Sequence, residues 1–224
     1  MIRATRERTA RPFGVNLGLA WSQEERLAVC LEEQVPIVSF FWGPPDRYTE
    51  VAHSGGAFVF HTVGSIAEAR RAVDTGVDAV VAQGWESGGH VWGQVATLPL
   101  VPAVVDAISP TPAVAAGGIA DGRGLAAALA LGAAGVWMGT RFLASREAAV
   151  HDLYKHRVRR AAETDTLYSH LFDLGWPDAP IERCATRPSS VGKPQAARNR
   201  VAAPAKERRS LTSRTVERQN DTRT

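Results

Sequence analysis

The chain has 224 residues, 45% of them hydrophobic, a formal net charge of +3 and a pI near 9.2, which is enough apolar content for one sizeable core and excludes a chain disordered throughout. No apolar run approaches the roughly 18–20 residues needed to span a bilayer, and the Arg-rich start, Met1 to Arg11, lacks the apolar region of a signal peptide; a soluble, cytoplasmic protein is expected. The two cysteines, Cys30 and Cys184, form no CxxC pair and no metal-ligand spacing, so neither a disulfide framework nor a zinc site is expected.

From residue 12 to residue 143 short apolar runs alternate with helical patterns. Phe13 to Leu17 is the first strand candidate. Ser22-Gln23-Glu24-Glu25 then reads as a capping box opening a helix through Leu27 and Leu31, with Cys30 a buried thiol on it. Pro36 to Phe40 and Ala57 to Thr62 are the next strands, Ser65 precedes a helix over Ile66 to Asp74, and Ala79 to Gln83 is the fourth strand. Ala113 to Ala116 follows, then a helix after Asp121 through Leu125 to Leu131, then Gly135 to Gly139. The strand runs are continuous, Val-rich and bounded by Gly or Pro, as parallel strands covered on both faces are.

Val15, Val38, Val59, Val80, Val114 and Val136, one from each run, are separated by 23, 21, 21, 34 and 22 residues. The overlong interval holds Ala82-Gln83-Gly84-Trp85-Glu86-Ser87-Gly88-Gly89-His90-Val91-Trp92-Gly93. The extra chain therefore sits in a loop after a strand, where parallel α/β proteins keep their active sites. Gly88 and Gly89 lack a Cβ and can bring backbone N–H groups close to a ligand. His90, with an unperturbed pKa near ~6.5, can take up and return a proton at neutral pH. On the loop alone, an ordinary surface histidine explains the pattern equally well, and the spacing decides for a site.

Two later strands also end in glycine: Ala115-Ala116-Gly117-Gly118-Ile119 and Val136-Trp137-Met138-Gly139-Thr140. One glycine pair merely permits a tight strand-to-helix turn. In two adjacent units the pattern predicts an anion site, with phosphate the expected guest.

Charge divides the chain. Residues 187–224 carry ten Lys and Arg against three Asp and Glu, which leaves sixteen against twenty for residues 1–186. The body is mildly acidic and the basic tail, poor in large apolar residues, is expected to be disordered. Such a tail can hold nucleic acid weakly and without sequence preference. The expected organisation is a globular body over residues 1–182 and a tail over 183–224.

Phe13-Gly14-Val15-Asn16-Leu17, the segment from Ala82-Gln83-Gly84 to Gly88-Gly89-His90, Ala116-Gly117-Gly118-Ile119, and Met138-Gly139-Thr140-Arg141-Phe142 occur in this order. Together they resemble the nitronate monooxygenase family, formerly the 2-nitropropane dioxygenases, over roughly residues 10–182. FMN-dependent enoyl-acyl-carrier-protein reductases share much of the set. The resemblance implies an FMN-dependent TIM (β/α)8-type barrel that oxidises alkyl nitronates with O2 to a carbonyl compound and nitrite. It assigns His90 as catalytic base or as the group that orients and stabilises the anionic substrate. Asn16 and Gln83 would bond the flavin ring or ribityl chain, Gly88 would lie against the cofactor, and Gly117 and Gly118 with Trp137, Met138, Gly139 and Thr140 would hold its phosphate. Trp137 replaces the polar residue usual there, which leaves a backbone contact intact. Glu86 is expected to satisfy loop N–H groups; Trp85 and Trp92 either line a substrate mouth or pack the loop on the rim. No metal is implied. The alternatives are an enoyl-reductase-like oxidoreductase and a non-enzymatic nucleic-acid binder acting through the tail.

A TIM barrel has eight strands, and the six runs correspond to strands 3 to 8, with Met1 to Thr9 resembling the end of the helix before strand 3. An incomplete barrel with unpaired edges is expected. The family pattern holds through Trp176-Pro177-Asp178-Ala179-Pro180 and then stops. A change of reading frame near Pro180 accounts for this, because codons available for Pro180 to Glu207, read two bases along, yield an ending like the family's. Residues from about Ile181 onward are then an out-of-frame translation without selected function, an expectation the nucleotide sequence tests.

Overall fold

The computed structural model describes residues 1–169, 176 and 181–184. A short helix α1 (Ile2–Arg6) leads into β1 (Gly14–Gly18), α2 (Glu24–Glu32), β2 (Ile37–Phe41), α3 (Asp46–Ser54), β3 (Phe58–Val63), α4 (Ile66–Asp74) and β4 (Ala79–Gln83). After a two-residue strand β5 (Gly89–His90) come α5 (Thr97–Ile108), β6 (Ala113–Ala116), α6 (Gly122–Ala130), β7 (Gly135–Trp137), α7 (Thr140–Leu143) and α8 (Asp152–Arg160). Two further strands, β8 (Thr166–Ser169) and β9 (Ile181–Cys184), complete the described elements.

Strands β1, β2, β3, β4, β6 and β7 form one parallel sheet in chain order. Each helix crosses over to the next neighbouring strand, as six successive units of a TIM-type barrel do. All six strand candidates are present, most shifted by one residue or less. The last ends at Trp137 rather than Gly139, because Gly139 becomes the N-cap of α7.

The ladder register puts Leu17, Val38, Phe40, Val59, Val63, Val80, Ala82 and Ala115 on one face, against the helices, where all are buried. Leu27 and Cys30 of α2 and Leu100, Val101 and Val104 of α5 close that layer. Burial pushes the Cys30 thiol above its ordinary range, so it behaves as an inert apolar group. The opposite face carries Asn16, Phe58, Phe60 and Trp137. Phe58 and Trp137 are each 42% exposed there, although Ser39, Ala79 and Val81 at its centre are buried. The expectation of strands covered on both faces is thus corrected: the helix face is closed, and the inner face is closed only where small side chains let the sheet curl.

Local signals explain most helix starts. Ser65 caps α4, accepting from the Glu68 N–H, while the Glu68 carboxylate accepts from the Gly64 N–H at 2.8 Å. Asp121 caps α6 through the Arg123 N–H at 2.9 Å. The capping box expected at Ser22 does not form. Gln23 is the N-cap of α2, fixed by its side-chain amide donating to the Gly18 carbonyl at 2.6 Å and its backbone N–H donating to the Tyr48 hydroxyl at 3.1 Å.

A second sheet, absent from the sequence expectations, joins β5, β9 and β8 in antiparallel pairing. Ile181 to Cys184, the start of the stretch expected to be out of frame and, from Arg183, of the tail, are therefore part of a ladder. The rest of the basic segment, with its expected disorder, nucleic-acid affinity and out-of-frame origin, lies outside the described residues. Among the described residues, no helix is long and apolar enough to cross a membrane and no cluster of His, Cys, Asp or Glu is arranged to hold a metal ion.

Candidate active site

The loop between β4 and α5 is built from its two ends inward. Gln83, the last residue of β4, donates from its amide nitrogen to the His90 carbonyl at 3.1 Å and accepts the Trp92 N–H on its amide oxygen at 3.1 Å. Both ends of one side chain therefore hold the far side of the loop. Glu86 accepts the Thr97 N–H on its carboxylate oxygens, at 3.0 and 3.2 Å. Ala96, the N-cap of α5, offers no side-chain cap, so Glu86 supplies from the loop the anion that the helix terminus lacks. The structural role expected of Glu86 is what the geometry gives.

Two glycines clamp the base of the loop. A Cβ on Gly93 would come within 2.6 Å of the Gly64 Cα, so the loop backbone lies directly on the backbone after β3. Gly93→Ala must push these segments apart. The expected result is a destabilisation of about 1–3 kcal/mol, the usual range for overpacking, read as a lower urea midpoint at unchanged slope.

Beyond Gln83 the chain opens onto a cavity of about 870 Å3. Eight of the ten residues singled out by sequence line it: Gln83, Gly88, Gly117, Gly118, Trp137, Met138, Gly139 and Thr140. Gly117 and Gly118 adopt φ of +113° and +63°, conformations that L side chains rarely take. A Cβ on Gly117 would also lie 2.6 Å from both Ser87 Oγ and Thr97 Oγ1. Gly88 is similarly tight, its hypothetical Cβ meeting Thr140 Oγ1. At Gly88 and Gly117 the wall is backbone because a side chain would overlap its neighbours, and at Gly118 because the positive φ would strain one. Arg141 and Arg159 bring positive charge to its edge, and Tyr154, Thr166 and Cys184 close its outer side. That outer wall, from α8 and the second sheet, carries no sequence signal of its own.

The other two predicted residues lie elsewhere. Asn16 is exposed on the inner face of β1, three strands from Gln83 in the sheet order, and is not among the cavity-lining residues. His90 sits on β5, paired through its backbone with Ile181, and its ring is surrounded by aromatic side chains. The imidazole centroid is 4.0 Å from that of Trp176 and 6.1 Å from that of Trp42. Trp42 meets Trp92 at 4.7 Å and Trp176 at 5.5 Å, and Trp176 meets Trp21 at 5.0 Å. Trp92 therefore packs on the rim while remaining 38% exposed, and Trp85 packs on Tyr168 at 5.7 Å. The cluster was missed in the sequence because its members come from four separate segments.

The site thus has two compartments at the carboxyl ends of the parallel strands: a glycine-walled cavity with cationic edges, and an imidazole in an aromatic cluster. Successive βα units with a cavity at that end define an α/β protein of the TIM-barrel class. Within that class the chain belongs to the nitronate monooxygenase family, which it matches over residues 3–175.

Among its relatives, a protein of Rhodococcus jostii named (3aS,4S,5R,7aS)-5-hydroxy-7a-methyl-1-oxo-octahydro-1H-indene-4-carboxyl-CoA dehydrogenase is 43% identical over 77% of this chain and 48% of its own length. A probable nitronate monooxygenase of Staphylococcus saprophyticus is 39% identical, covering 71% of this chain and 47% of the relative. The solved structure of FabK from Thermotoga maritima superposes with a TM-score of 0.76 at 42% identity, covering 83% of this chain and 58% of that one. The nitroalkane oxidase of Streptomyces ansochromogenes gives 0.74 at 30% identity, covering 83% and 65%. The chain thus spans about half the length of the curated relatives it matches.

Proposed function

We propose that this chain is an FMN-dependent oxidoreductase that oxidises alkyl nitronates with O2 to a carbonyl compound and nitrite. The observation that carries the reading is the gathering of Gly88, Gly117, Gly118, Gly139 and Gln83 around one cavity of about 870 Å3, within the range of cofactor pockets. The residues present fit the cofactor: Gly88, Gly117 and Gly118 exclude side chains where a phosphate would approach backbone N–H groups, and Trp137 and Met138 offer apolar surface to a ring system. Bound FMN would supply the redox chemistry that no side chain here provides. Gly117 and Gly118 with Gly139 and Thr140 would take its phosphate, and Arg141 at the edge adds positive charge. Gln83 orients the catalytic loop by holding His90 and Trp92 through their backbones. His90 then serves as base, or holds the anionic substrate. Asn16 is assigned a flavin contact on the resemblance alone.

A second reading, an enoyl-reductase-like oxidoreductase, is supported by the likeness to FabK, and the Rhodococcus relative is named for a CoA thioester. Titration of the purified chain with FMN, followed by visible absorption, tests the cofactor. Nitrite release from propionate 3-nitronate and 2-nitropropane then tests the reaction against oxidation of a reduced nicotinamide nucleotide by an enoyl thioester. Absence of a bound-flavin spectrum would sink both readings, and thioester-dependent nucleotide oxidation without nitrite would select the second.

A further inference from the structure

The aromatic rings around His90 exceed what loop packing requires, and one of them is held at a cost. Trp42 has φ of +67°, a conformation rare for a bulky side chain, which persists only where the surroundings over-determine it. Gly43 follows at φ +134°, with a hypothetical Cβ 3.1 Å from the Leu19 Cβ, so the turn after β2 that carries Trp42 disfavours any side chain at position 43. Trp42 ends 8% exposed as a floor, while Trp92 at 38% and Trp21 at 47% stand at the rim. Phe41 joins the group at 5.1 Å from Trp42 and 6.0 Å from Trp176. Trp176 also carries a buried indole N–H without an acceptor among the described residues, a donor that a substrate oxygen would satisfy on displacing the packing around it.

Building on the proposed role of His90, we infer that Trp42, Trp92 and Trp176 are specificity-determining residues that hold the hydrocarbon part of an anionic substrate beside His90. The cluster presents five rings and one imidazole, a composition that rewards each added methylene and leaves the imidazole and the indole N–H groups to meet an anion. The class of substrate is therefore a medium-chain or ring-bearing organic anion rather than the smallest nitroalkane anion.

Straight-chain carboxylates provide non-reacting probes. Titrating butanoate, hexanoate and octanoate into the chain, with and without FMN, and following indole fluorescence should give affinity that tightens by about fourfold per methylene. In Trp42→Ala the increment should fall below about twofold with FMN affinity unchanged, whereas Trp42→Phe, which keeps a ring, should retain most of it. Trp92→Ala, at a rim position, should reduce the increment without disturbing the buried floor. An unchanged increment in Trp42→Ala and Trp92→Ala, or none in the unsubstituted chain, overturns the inference. Because binding is read without turnover, a chain that binds octanoate more tightly than butanoate yet releases no nitrite would refute the nitronate reaction and leave this inference standing.

Discussion

His90→Ala is expected to lower kcat for nitrite release by about 10^2–10^4-fold, the range that a positioned acid–base group contributes, while the bound-flavin spectrum is unchanged. The two effects separate because the loop is anchored through backbone atoms. Gln83 bonds the His90 carbonyl and the Trp92 N–H, and β5 pairs with β9 through the main chain. None of these contacts needs the imidazole, and His90 is not among the residues lining the glycine-walled cavity. Nitrite assays beside a visible spectrum check the outcome; equal turnover in the variant would remove His90 from the chemistry.

Acid sensitivity is the second large effect, and it arises from a different histidine. His61 lies on the helix face of β3, 6% exposed, with its buried Nδ1 unpaired among the described residues. Burial depresses its pKa to about 4, against a smaller upward pull from Asp46. The unfolded chain takes up this proton near pH 6.5 and the folded chain only near pH 4, so between those values the unfolded state holds more protons and stability falls as pH falls. The loss should reach about 3 kcal/mol once both states are protonated. His61→Val, matching the flanking Val59 and Val63, should flatten the dependence of the urea midpoint between pH 6.5 and pH 4. A dependence as steep in the variant would assign the acid sensitivity elsewhere.

The contrast between the two histidines marks what the sequence discloses. The parallel sheet was legible because a strand covered by helices must be apolar over several consecutive residues, as at Ala79 to Gln83 and Ala113 to Ala116, whose expected and observed limits coincide. The cavity was legible for a related reason: Gly117 and Gly118 report a backbone constraint that only glycine meets. His61 carried no such mark, since its burial depends on helix packing rather than on its neighbours in the chain. The second sheet was equally silent. Gly89–His90 is too short to show a period, and Thr166–Ser169 is largely exposed. Asn16 was legible by residue type and order, and it lies exposed on the inner face of β1, the first strand of the sheet, outside the lining of the glycine-walled cavity.

The pairing of His90 with Ile181 also orders events in time. Neighbouring strands of the parallel sheet are joined across roughly one βα unit each, so its contacts are inexpensive in loop-closure entropy and need nothing beyond Trp137. The ladder that backs His90 waits for a segment ninety-one residues further along. During synthesis the scaffold is therefore expected to assemble first and the histidine to be pinned last, so a ribosome-released chain ending before Ile181 would carry a formed sheet and an unfinished site.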